Sequence, residues 1–155
     1  MIVNARILDE IETAFQDVNY PGDKDLVYDQ NGQHTECNEI AEVFRGRHWK
    51  DLEVSELQSQ SAALFFFSQH AYVFFLPAYL RAIILTPEEA DTIPGVIVDS
   101  LIQCTTSTSH RTTGNRLEWL TSTQRSVVKD VLCLLKTTLP WENILGDIDL
   151  LLEKL

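Results

Sequence analysis

Between residues 57 and 80 the chain has no Asp, Glu, Lys or Arg. In a protein that is 23% charged, such a gap marks the interior. It is too interrupted for a membrane span, which needs about 20 consecutive apolar residues. The longest run, residues 71–80, contains Pro77, and Gln58, Gln60, Gln69 and His70 break up the rest. Cysteine is scarce: Cys37, Cys104 and Cys133 are odd in number and share no metal-like spacing, which excludes a disulfide framework and suits free thiols in a reducing cytoplasm. A secretory signal is not expected, because Asp9, Glu10 and Glu12 fall where its apolar core would be. Basic residues are few, 12 Lys and Arg against 23 Asp and Glu, for a net charge of −11. That balance argues against nucleic acid and anionic membrane as partners, since phosphate binding rests on Lys and Arg. Internal repeats, strand alternation and a Gly-rich phosphate loop are also missing, so His110 and Arg111 lack the frame a phosphate site needs.

What is present describes a single all-α domain spanning residues 1–155, long enough to bury about two-thirds of its unfolded surface without disulfide or metal. Within residues 57–80, Ser68 is placed to cap a helix that is apolar on nearly every side, the pattern of a fully buried helix. Pro77 should kink it or start a second one. Around it, Asn4 can cap a first helix with Ile7, Leu8, Ile11, Phe15 and Val18 on one face. His34 or Thr35 opens a second, closed by Gly46. Leu26, Val27 and Tyr28 read as a short extended piece, and Ser55 as the start of a short helix. Thr86-Pro87-Glu88-Glu89 has the form of a helix start, and Thr121-x-x-Gln124 that of a capping box. Val127, Val131 and Leu135, then Ile144, Ile148 and Leu151, line two further helices after a Ser/Thr-rich loop at 105–115. The total is six to eight helices around a central one. Trp49, Trp119 and Trp141 fall at helix junctions, as wedges between elements.

The densest chemistry-bearing cluster is His34, Glu36, Cys37 and Glu39, followed by His48. Cys and His three residues apart resemble half a zinc site, but the second half is missing. The plainer account is a helix N-terminus carrying acids where the dipole favours them, with a cysteine facing the core. His70 has no nucleophile at readable spacing, and Cys104 and Cys133 read as small core residues. No catalytic residues and no cofactor are assigned.

Two segments are familiar: ECNEIAEVFRGRHWKDL from Glu36 and ALFFFSQHAYVFFLPAYL from Ala63. Together with LTSTQRSVVKDVLCLL and IETAFQDVNYPGD, they make most of the chain similar to a bacterial family of small acidic proteins of unknown function. That family shares F-x-G-x-x-W-x-x-L and F-F-L-P-A-Y-L blocks. This sequence has Gln69 where the family usually has Pro. The shared positions are fold-determining types, so the resemblance implies a bacterial cytoplasmic protein and brings no activity.

Residues 1–60 hold thirteen acids and five bases. Two function classes follow. The first is a non-catalytic module whose acidic face, with Asp9, Glu12, Asp17, Glu36, Glu39 and Glu42, docks a basic protein, as an immunity protein or antitoxin docks a cationic toxin. Solubility alone is the bland account of the same charge. The other class is a metal-assisted hydrolase using His34, Glu36, Cys37, Glu39 and His48. The sequence is silent on oligomeric state.

Overall fold

A computed structural model of the chain describes residues 2–90, 92–106, 116–138 and 142–155, with backbone alone for residues 2, 103–106, 138, 142 and 143. Trp141 and residues 107–115, which hold His110 and Arg111, lie outside the described residues, as does the side chain of Cys104. The fold is all-α: α1 (Ile2–Phe15), α2 (Thr35–Phe44), α3 (Val54–Ser59), α4 (Gln69–Leu85), α5 (Ile93–Thr106), α6 (Arg116–Trp119), α7 (Ser122–Thr138) and α8 (Glu142–Lys154), with 3₁₀ turns at Trp49–Asp51 and Ser61–Phe65.

The charge-free stretch supplies α4, and α4 is the hub. It touches α1, α3, α5, α6, α7 and the Trp49–Asp51 turn, while α1, α7, α8 and α5 pack on one another in that order around it. Ser68 caps it as its sequence implies, accepting the Ala71 N–H at 3.1 Å. Twelve of its seventeen residues are buried, on every side of the helix. That enclosure accounts for Pro77: the helix runs through it to Leu85 without dividing in two, since packing on all faces holds both halves where the lost backbone bond would not.

The first sixty residues reach this hub through aromatic contacts. Phe44 of α2 meets Phe67 and Phe75 edge-on, with ring centroids 5.0 and 4.9 Å apart. The short extended piece exists as one antiparallel bridge between Val27 and Phe67, with Tyr28 N–H donating to Phe66 O and Ser68 N–H to Leu26 O. On the other side, the fully buried Arg116 guanidinium donates to Ser100 O and lies 5.3 Å from the Tyr72 ring and 5.9 Å from those of Phe65 and Trp119. These contacts tie α6 to α4 and α5.

Several local expectations are corrected. Helix α1 begins at Ile2, so Asn4 lies inside it. Helix α3 is capped by Glu53 and not by Ser55: the Glu53 side chain accepts the Glu56 N–H while the Glu56 side chain accepts that of Glu53. Thr86 closes α4 instead of opening a helix: its N–H and hydroxyl both bond Ala82 O, and residues 87–89 form a turn before α5 starts at Ile93. The carbonyls left at the end of α4 claim the Thr86 donors first. Cys133 is exposed on α7, since the buried face there is filled by Val127, Val128, Val131, Leu132 and Leu135.

Candidate interaction surface

The cluster that looks most like chemistry in the sequence resolves into backbone capping. The Nδ1 of His34 accepts the Cys37 N–H at 3.3 Å, which makes His34 the N-cap of α2. The N–H of His34 itself goes to Asp29 Oδ2 at 2.7 Å, beside the N–H groups of Gln33 and Asn31, both 3.1 Å from the same carboxylate. The His34 N–H, then the other two, hold the Asp29 carboxyl below its ordinary value. Cys37 is enclosed in the core, and burial pushes its thiol up. His48 repeats the device, with its Nδ1 accepting the Lys50 N–H at 3.1 Å at the start of the Trp49–Asp51 turn.

Each histidine therefore has one ring nitrogen committed to the backbone and the thiol faces inward, while Glu36 and Glu39 point to solvent. Among the described residues, no three His, Cys, Asp or Glu side chains come together as metal ligands. Among the described residues, His34, Glu36, Cys37, Glu39 and His48 are therefore not gathered into the ligand set that the metal-hydrolase reading needs. One turn of helix places residues three apart on a common side, but capping and burial use the donor atoms first.

His70 is exposed and pairs through Nδ1 with Asp25 Oδ2 at 2.7 Å, and the Ser68 hydroxyl donates to Asp25 O at 2.7 Å. Both contacts fasten the 22–28 segment to the start of α4. Tyr20 acts similarly further along, donating to Asp23 and accepting the Gly46 N–H.

All six acids expected on the surface, Asp9, Glu12, Asp17, Glu36, Glu39 and Glu42, are exposed. Glu12 meets Lys50 Nζ at 2.5 Å, and this bond, with the charge behind it, lowers the Glu12 pKa. The other five form no ion pair among the described residues. Helices α1 and α2 do not pack on each other as an antiparallel pair. Helix α1 lies on α7 and α4, whereas α2 hangs from the aromatic cluster through Phe44.

Where α1 crosses α7 there is an open groove of about 790 Å³. The Gln124 side chain donates to Ala14 O at 3.2 Å, which puts the end of α1 at the start of α7, so the two run in opposite directions. The start of α7 is fixed by the expected capping box, in which Thr121 Oγ1 accepts the Gln124 N–H and Gln124 Oε1 the Thr121 N–H. Ala5, Asp9 and Thr13 from α1 face Ser122, Ser126 and Asp130 from α7, with Arg6, Glu10, Thr123 and Val127 completing the walls. Of these, sequence reasoning singled out Asp9 alone as a binding candidate. The available signal was the four-residue spacing of small and polar side chains on each helix, at 5, 9, 13 and at 122, 126, 130, which marks one helix face.

Among the described residues no helix is long and apolar enough to cross a membrane. No curated protein and no solved structure matches the chain. Residues 3–153 match a family of unknown function (DUF6714). With nearly the whole described fold inside that match, the chain belongs to this family.

Proposed function

We propose that the chain is a non-catalytic interaction module that captures a basic protein partner through the acids of its N-terminal third. An immunity protein or antitoxin acting on a cationic protein in a bacterial cytoplasm is the concrete version. The observation that carries the reading is the exposure of Asp9, Asp17, Glu36, Glu39 and Glu42 without ion-pair partners among the described residues. Carboxylates placed this way contribute little to stability and leave their field in solvent, where it attracts positive charge over a Debye length. Residues 1–60 carry five bases against thirteen acids, so little of that field is cancelled locally.

The test is capture of partners from the native lysate at low and high salt, by the wild type and by a Glu36→Gln, Glu39→Gln, Glu42→Gln variant. The expected result is a set of basic proteins that elute with salt and are captured less by the variant. Equal capture with unchanged salt dependence would reduce the acidic surface to a solubilising role.

A further inference from the structure

We propose that the groove between α1 and α7 is the seat for the partner, and that it takes a helical segment presenting Lys or Arg. This rests on the basic-partner reading above and adds the place and the form of the ligand. Three carboxylates, Asp9, Glu10 and Asp130, line the groove against one base, Arg6, and that base is already bonded to Glu10 Oε1 at 2.6 Å. The other Glu10 oxygen is shielded from solvent and has no hydrogen-bond partner. Asp9 and Asp130 form no ion pair among the described residues, and an incoming ammonium or guanidinium is the group that would pair with them.

The walls suit a helix. Residues 5–13 and 122–130 each supply about 12 Å of wall at ~1.5 Å per residue, roughly two helical turns. Small side chains, Ala5 and Ser126 among them, let a backbone come close, and buried Val127 gives an apolar floor. Two turns before Glu10, Val3 is half exposed at the three-residue spacing that puts it on the side of Arg6, an apolar contact for an amphipathic partner. A second copy of this chain is a poor occupant, because a net charge of −11 repels itself at an acidic groove.

The experiment uses the full chain and a defined probe, a fluorescein-labelled Ala-rich helical peptide of about 14 residues with Arg at every fourth position. Binding is read by anisotropy at low salt and located by amide chemical shifts of the ¹⁵N-labelled protein. A groove variant (Asp9→Asn, Glu10→Gln, Asp130→Asn) should bind about tenfold or more weakly, while the Glu36, Glu39, Glu42 to Gln variant, which removes only the more distant part of the attracting field, should weaken binding by a smaller factor of about two to three. In the wild type, shifts should gather at residues 5–13 and 122–130, a result that does not depend on either variant folding. Loss in the α2 variant with binding kept by the groove variant would overturn the seat and leave the basic-partner reading standing. No binding by the wild type would sink both. Spermine, run in parallel, separates the remaining possibility: if it shifts the groove residues and the peptide does not, the groove is a small-cation site and the helix-seat proposal is wrong.

Discussion

Around His34, the polar groups are turned to the protein's own backbone. Asp29 gathers three N–H groups, His34 caps α2, and Cys37 is closed into the core. In the α1/α7 groove, by contrast, the side chains of Asp9, Thr13, Ser126 and Asp130 have no hydrogen-bond or ion-pair partner among the described residues. The two regions use similar residue types. The start of α2 resembles a site in the sequence because its residues are adjacent, and adjacency is what lets them satisfy one another. The groove leaves no such mark, because two helices more than a hundred residues apart must meet to form it. Polar groups already satisfied hold structure, and those left open are free for a ligand.

This contrast can be broken or sharpened by substitution. The largest effect is expected in neither region. Leu76→Ala, in the fully buried centre of α4, should cost ~2–5 kcal/mol in chemical denaturation, the scale against which the other changes are read. A variant that melts with the wild type would mean that α4 is not the hub.

Next comes the start of α2. His34→Ala removes an N-cap and should cost ~0.5–2 kcal/mol, whereas Asp9→Asn with Asp130→Asn in the groove should stay within about 0.5 kcal/mol. Equal losses at the two places would erase the distinction between structural and available polar groups. The Asp29 carboxyl sharpens it further through pH. Its native pKa lies below its ordinary value of 3.8, so its contribution is complete above that value and lost as pH falls through the native one. Asp29→Asn should therefore melt lower than the wild type at neutral pH, and the gap should close in acid.

Thiol reactivity gives a third comparison. The structure encloses Cys37, pushes its thiol pKa up and leaves Cys133 exposed. Alkylation followed by mass spectrometry should mark Cys133 well before Cys37. Labelling of Cys37 at the same rate would show that the start of α2 opens readily.

The smallest effect is at Asp99 on α5. Partial burial, and then the charge of Asp147 on α8, raise its pKa. A raised native value means that the group favours folding below its unfolded pKa, and that this is lost as pH rises through the native one. Asp99→Asn should accordingly raise Tm slightly at neutral pH, with no gain in acid. A lower Tm at neutral pH would show that Asp99 makes a favourable contact as a carboxylate.

What the sequence reveals and what it hides follow the same physical line. The hub, the Ser68 cap, the Thr121 and Gln124 box and the Gly46 stop at φ 71° are legible because each depends on neighbours within one turn of chain. Thr86-Pro87-Glu88-Glu89 misleads because a start signal and the end of the preceding helix compete for the same donors, and the finished helix takes them. Cys133 misleads because α7 is apolar enough that its buried face is filled without it. The groove is hidden because half of it lies on α1 and half on α7, and a spacing pattern on one helix does not say which helix will face it.

The most direct test of the central claim, capture of positive charge by an acidic surface, is the ionic-strength dependence of association. The rate constant for the Arg-bearing peptide should be measured by stopped flow from ~0.1 M to ~1 M salt, over which the Debye length falls from ~10 Å to ~3 Å. The account predicts a steep fall in the association rate, with dissociation changing much less. An association rate flat across that range would contradict it.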